Sequence, residues 1–339
     1  MKFNNYLNTL FSIIIAFVIG GIIVLFMGYN PLTVYSRMIR GAFSGSFNFG
    51  GTLEKFVPMF LTAIAFYMST VVNQFNVGVE GQMYLGAIAA AWVGFSFTGI
   101  PAFFHSILCF SAAITAGGLW ALVPAILKTS FKVNEICTTI LLNYVAVLFT
   151  SYLVNGPLSA GKGIATTPFV SEPVFLPRIL EPSRANMGLF IALFLFILLG
   201  IVLSHTTMGF RLRSTGTNAQ FSEYVGINTR AVILAGMFAS GAIGGIAGGI
   251  QVLGVHHAFL DGFSSEIASF GMLAALISGG NYKMLPVMSL LLAALKNGAL
   301  GMQRFTDLKA SLVDVIIAVF ILITAMNWIK GLGGRKKGW

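Results

Sequence analysis

The chain has 339 residues, 57% of them hydrophobic and 39 of them Gly, with only 9% charged; average soluble domains carry about 25% charged residues. A mean hydropathy of +0.88 leaves too little polar surface to cover a water-soluble domain of this size. Soluble enzymes, disordered proteins and nucleic-acid-binding domains are therefore excluded, in spite of a net charge of +10. The positive charge sits in stretches between apolar blocks, as expected when Lys and Arg anchor one membrane face. The prediction is an all-α, multi-pass helical membrane protein forming one domain over 1–339.

A spanning helix needs roughly 20 mostly apolar residues. Ten such stretches are predicted, over 6–29, 56–73, 83–98, 103–127, 135–154, 187–204, 231–253, 264–281, 284–302 and 312–329. The first is too long for a signal-peptide core and lacks a small-residue cleavage pattern. The eighth is short and Gly-broken, so it either spans or re-enters. With Lys2 inside, ten spans return both termini to the cytoplasm and place eleven Lys and Arg inside against eight outside. The tail residues Lys330, Arg335, Lys336 and Lys337 join the inside. Arg37, Arg40 and Lys55 fall in an outside loop, and Lys296 falls within a span. Cys109 and Cys137 lie in or beside apolar blocks and are expected to be buried, inert thiols.

Three polar fragments interrupt the apolar pattern. The first, Asn73-Gln-Phe-Asn76-Val-Gly78-Val-Glu80-Gly81-Gln82, links two spans and is broken by Gly. Broken helices are tolerated in membranes where they line a cavity or pack on protein. The second is Asn134-Glu135 followed by Thr138, Thr139, Asn143 and Tyr144. Asn134 is placed to cap the fifth span and Glu135 suits its positive end. Thr139 and Asn143 are four apart and share one face, which suits a polar solute and interhelical hydrogen bonds equally. The third, 205–230, is the one sizeable polar stretch inside. Asn218 is positioned to cap a short helix and Gly226 to end it. Phe221, Tyr224 and Val225 make one apolar stripe, which needs a partner groove or the bilayer surface. The small-residue run 240–249 is expected to pack helices closely.

Two fragments imitate nucleotide sites. Gly156-Pro-Leu-Ser-Ala-Gly161-Lys162-Gly163 has P-loop spacing, but Gly stands where Ser or Thr must hold the metal, and no strand precedes it. Ser278-Gly279-Gly280 is similar to an ABC ATPase signature but sits in an apolar hairpin. His256-His257 is an adjacent pair whose rings fall on different helix faces. Neither a metal-ligand spacing nor a nucleophile motif occurs in the sequence.

Together, Asn76-Val-Gly-Val-Glu80-Gly-Gln82, Val133-Asn134-Glu135 with Leu142-Asn143-Tyr144, and Gly216-x-Asn218-Ala219 with Glu223-Tyr224-x-Gly226-Ile227 resemble the permease subunits of ABC importers. The resemblance runs through nearly the whole chain, including Tyr152-Leu-Val-Asn155-Gly-Pro157-Leu158 and Leu176-Pro177. It is nearest to the nucleoside branch served by basic-membrane-protein-type lipoproteins, and is related to ribose and branched-chain amino acid permeases. One departure is Phe221-Ser222, where small and basic residues are more usual. The resemblance implies an ABC importer permease fold in a bacterial cell membrane. It implies a second, different permease, an ATPase with two nucleotide-binding domains, and a lipoprotein receptor. ATP would bind the ATPase, and this chain would hold no cofactor and catalyse no reaction. The segment 205–230 would be the coupling loop, acting through Gly216, Asn218, Phe221, Glu223, Tyr224, Gly226 and Ile227. The solute pathway is expected at Asn76, Glu80, Gln82, Asn143 and Tyr144. A pentose or small amino acid is the alternative solute. An ion-coupled secondary transporter is the other class, and only Glu80, Asp314 and Lys296 lie near spans to serve it.

Overall fold

The computed structural model describes residues 2–161, 163–264, 266–304 and 314–319, with side chains described from residue 14. Twelve α-helices are found among them: α1 (Lys2–Phe26), α2 (Pro31–Phe43), α3 (Gly45–Val71), α4 (Val79–Ser96), α5 (Ala102–Phe131), α6 (Glu135–Asn155), α7 (Gly188–His205), α8 (Thr207–Thr217), α9 (Ala219–Tyr224), α10 (Thr229–Ile250), α11 (Ile267–Ile277) and α12 (Leu285–Gln303). A further helical stretch covers 314–319. Two isolated β-bridges, Thr166 with Leu260 and Arg178 with Asn186, are the extended pairings among the described residues.

Asn side chains start many of these helices. Asn30, Asn134, Asn218 and Asn228 each accept a hydrogen bond from a first-turn amide. This satisfies donors that a helix end otherwise leaves unpaired.

Six helical segments among the described residues are long and apolar enough to cross a membrane. A seventh is reached if α1 and α2, bent by 119°, count as one span. Ten spans are not found among the described residues. The stretch 56–73 begins earlier, at Gly45, and the supposed outside loop before it is largely helix, so Arg37 and Arg40 lie on α2 and Lys55 on α3. The stretch 83–98 forms α4, whose first turn carries Glu80 and whose apolar residues are largely buried. The eighth stretch is realised as the 11-residue α11, too short to span. The tenth, 312–329, and the basic C-terminal tail lie outside the described residues except for 314–319.

The centre is α3. Phe60, Leu61, Ile64, Phe66 and Met68 on it are fully buried, packed by α4, α10, α11 and α12. On the other side α10 lies against α4 and α5 through the small-residue run, as predicted. A Cβ on Gly245 would run into the Ala113 carbonyl of α5, and one on Gly86 of α4 would meet Gly245 itself. Close backbone approach is what small residues supply in lipid, where apolar burial drives association weakly. At one end of the bundle, Asn297 of α12 donates to the carbonyls of Asn48 (2.8 Å) and Gly41 (3.2 Å), tying α12 to the α2–α3 corner. Cys109 is buried as expected, whereas Cys137 is exposed, contrary to expectation.

Gly245→Val is expected to destabilise the protein by about 1–3 kcal/mol, the usual cost of overpacking. Gly249→Ala should be close to neutral, because its Cβ makes ordinary contacts with Ala113 and Phe110 at 3.4 Å. Unfolding in mixed detergent, followed by tryptophan fluorescence, checks the pair; equal midpoints would contradict the packing description.

Candidate functional site

The chain leaves α3 at Val71 and enters α4 at Val79 through a largely buried, non-helical link from which Asn73 is exposed. Here Asn76, fully buried, is the hub. Its amide nitrogen donates to Ser240 of α10 (2.9 Å) and to Gln82 Oε1 (3.0 Å), and its oxygen accepts from Gly78 N–H (3.0 Å) and Gln82 Nε2 (3.2 Å). Ser240 in turn donates to the Ala65 carbonyl of α3 at 2.6 Å. From α6, Asn143 donates to the Val77 carbonyl and accepts from Gly81 N–H, both at 2.8 Å. Asn76 and Asn143 thus satisfy backbone groups of the broken segment, and Gln82 locks the Asn76 side chain in place. The polar atoms of Asn76, Gln82 and Asn143 are engaged with protein in this arrangement. Glu80 is half-buried and Tyr144 is 67% exposed on the flank of α6.

A second break meets the first. Beyond Ile250, α10 continues into a π-helical turn, Gln251–His256, and the chain then runs irregularly to α11. Such turns recur at functional sites. Phe263 packs on the Tyr84 ring at 4.8 Å, and Ser264 N–H approaches the Tyr84 hydroxyl at 3.4 Å. Ser151 of α6 donates to Asp261 at 2.8 Å. Glu80 lies within electrostatic range of Glu266, and Tyr84 within range of both Glu80 and Asp261. Lys296, about 16 Å along α12 from its start, binds Asp314 at 2.7 Å and Glu266 at 3.1 Å. Its ammonium also sits 4.1 Å from the centre of the Phe270 ring. The side chains of Glu266 and Asp314 are 66% and 49% exposed. Charges open on the flank of a membrane-crossing bundle are costly against lipid, so this flank is suited to protein or water. Sequence reading noted Lys296 and Asp314 separately and missed Asp261 and Glu266. The available signal was two carboxylates inside a Gly-broken apolar stretch.

The predicted coupling residues form a compact unit. Thr206 caps α8 and Asn218 caps α9, its oxygen accepting from Phe221 N–H at 2.9 Å. Gly226, at φ +83°, ends α9; its N–H donates to the Glu223 carbonyl and Ile227 N–H to the Ser222 carbonyl, both at 2.9 Å. This left-handed closure is the one Gly permits at least cost. Phe221, Tyr224 and Val225 project outward, with Tyr224 90% exposed. Glu223 turns back to accept from the Thr229 hydroxyl at 2.5 Å, so it holds the turn to α10. Gly216 rests against the Val71 carbonyl at the end of α3, where a Cβ would overlap it.

At the opposite end, two cavities of about 320 and 460 Å³ share Gly41, Phe47, Asn48, Gly301 and Arg304. Arg37, Arg40, Lys55 and Arg184 join Arg304 around them, against the single carboxylate of Glu54.

A bundle of membrane-crossing helices, two abutting broken segments and a small projecting helix pair describe a membrane permease. Residues 48–326 match the family described as the branched-chain amino acid transport system / permease component, and the chain belongs to that family. It is 34% identical to the guanosine ABC transporter permease protein NupP of Bacillus subtilis, over 99% of this chain and 98% of NupP. It is 28% identical to the nucleoside ABC transporter permease protein NupB of Lactococcus lactis subsp. cremoris, over 97% of this chain and 93% of NupB. The glucose ABC transporter permease protein TsgB13 of Haloferax volcanii is 28% identical over 94% of this chain and 86% of its own length. No solved structure matches the chain.

Asn76→Ala leaves Gly78 N–H, Gln82 and Ser240 short of buried partners. A loss of about 1–3 kcal/mol is expected, read as a lowered thermal unfolding temperature of the purified chain. An unchanged temperature would contradict the role of Asn76 as the hub of the broken segment.

Proposed function

We propose that this chain is the integral-membrane subunit of an ATP-driven importer for nucleosides. The observation that carries the solute is the near full-length similarity to permeases named for guanosine and nucleosides. The similarity to a glucose permease supports a sugar as the second reading. Both solutes present hydroxyls, and the nucleoside adds a flat base.

In this reading α8 and α9 face the cytoplasm and dock on the ATPase, with Phe221, Tyr224 and Val225 entering a groove of that partner. The ATPase binds ATP, and this chain supplies no ATPase site of its own. The coupling unit touches the end of α3 through Gly216, directly before the first break, so a displacement of α9 reaches the segment carrying Glu80. The second permease covers the flank bearing Glu266, Lys296 and Asp314, because a protein or a hydrated channel spares those charges from lipid. The pathway runs along this seam. Glu80, Glu266 and Asp261 accept from solute hydroxyls there, and Tyr144 stacks on the base. Asn76, Gln82 and Asn143 act by holding the broken segment that presents Glu80. The basic cavities at the far end receive the acidic surface of a lipoprotein receptor, and both termini lie in the cytoplasm.

The test is uptake of labelled guanosine by the transporter reconstituted with its ATPase and receptor. ATP-dependent uptake blocked by other nucleosides and not by glucose or ribose supports the reading; glucose uptake that nucleosides leave untouched favours the sugar. In the same system Tyr224→Ala is expected to weaken ATPase assembly by about 2 kcal/mol or more, the cost of an aromatic anchor. Uptake should fall in step, with receptor docking retained. Normal assembly of this variant would remove α9 from the docking role.

A further inference from the structure

A cavity of about 930 Å³ opens between α7, the end of α3 and the turn joining α11 to α12. None of the functions assigned above uses it. Its walls are apolar: Phe196, Ile197, Ile201 and Leu203 come from α7, with Tyr67 and Val71 from α3. The Tyr282 ring forms the back, stacked on Phe196 with centroids 4.6 Å apart and planes 11° apart. Its hydroxyl donates to the Phe196 carbonyl at 2.6 Å, which holds α7 at this spacing. Ile197 and Ile201 are 60% and 50% exposed, so the cavity is continuous with the flank of the bundle.

Its rim has the opposite chemistry. His205, Arg213 and Lys283 stand around the mouth, and no carboxylate lines the cavity. Arg213 is exposed on α8, and its Nε is the group that donates to the Gly209 carbonyl, at 3.4 Å. Lys283 is exposed beside Gly279 and Gly280, whose positive φ values turn the backbone sharply between α11 and α12. A groove that is greasy along its length and cationic at one end matches a ligand with an acyl chain and an anionic head. Basic pockets between membrane helices are known to hold such headgroups. A free phosphate would gain nothing from the apolar walls, and a nucleoside would gain nothing from the cations.

We infer that this cavity binds an anionic phospholipid of the leaflet on the α8–α9 side. Arg213 and Lys283 hold its phosphate, and its acyl chain lies along Ile197 and Ile201. The assignment rests on the membrane orientation proposed above. Because Arg213 belongs to α8, the bound lipid becomes part of the footing of the coupling unit.

Native mass spectrometry of the delipidated full chain in detergent tests this, with dioleoyl phosphatidylglycerol and dioleoyl phosphatidylcholine titrated separately. Neither nucleoside nor ATPase is present, so the result is independent of the uptake assay. Phosphatidylglycerol should bind more tightly. Arg213→Gln and Lys283→Gln should each cut that preference about fivefold, as expected for one basic residue near the membrane surface. Arg178→Gln, at the other end, should leave it unchanged. Ile201→Trp, which fills the wall, should weaken both lipids. Equal binding of the two lipids by the unaltered chain would overturn the assignment. So would displacement of phosphatidylglycerol by equimolar inorganic phosphate, which would mark a free-anion site. So would an unchanged preference for phosphatidylglycerol in both Arg213→Gln and Lys283→Gln.

Discussion

The fold depends on one requirement: a backbone that leaves helical geometry inside a membrane must find its hydrogen bonds within the protein. The chain leaves helix between α3 and α4, and the Asn76–Gln82–Ser240 knot answers the requirement. Asn143 closes the same segment from α6. The knot joins α3, α4, α6 and α10, so the elements around the break are held as one unit. It also frees Glu80 from a structural duty. The carboxylate can stand half-buried at the meeting of the two breaks because the amides beside it carry the backbone.

The same end of α3 bears the contact with α8. Gly216 lies on the Val71 carbonyl, and the next residue, Val72, fills the space left by Gly236 of α10. A side chain at either Gly would push these elements apart. Interfaces packed this closely shift as units between discrete arrangements. The α9 helix packs on α8, and α8 meets the end of α3 through Gly216, directly before the broken segment that holds Asn76.

Much of the α8–α9 unit was legible from local rules. The Asn218 cap, the Gly226 stop and the stripe of Phe221, Tyr224 and Val225 follow from spacing alone. The bond of Glu223 with Thr229 was not legible, because Thr229 lies beyond the helix end, where a helix rule does not look. The α2 helix was missed for a different reason. Arg37 and Arg40 lowered its hydropathy, although Val34, Met38 and Ala42 mark a buried face at four-residue spacing. Among the described residues fewer helices qualify as spans than the ten predicted, in part because hydropathy measures composition and not path: α11 is as apolar as a span and half as long. Glu80 comes within electrostatic range of Glu266, far along the chain, and Lys296 pairs with Asp314, 18 residues on. No local pattern encodes such a meeting, and it is the feature that separates a packed amide network from an accessible polar flank.

The most direct test is whether nucleotide binding at the ATPase moves the end of α3. Spin labels at exposed Thr70 of α3 and exposed Thr115 of α5, with Cys137→Ser to remove the exposed native thiol, report that distance by pulsed electron resonance in the assembled transporter. The expected result is a shift of the distance distribution when a non-hydrolysable ATP analogue is added, lost in Tyr224→Ala. An unshifted distribution in a transporter that binds the analogue and still imports its solute would contradict the contact path from α9 to the broken segment.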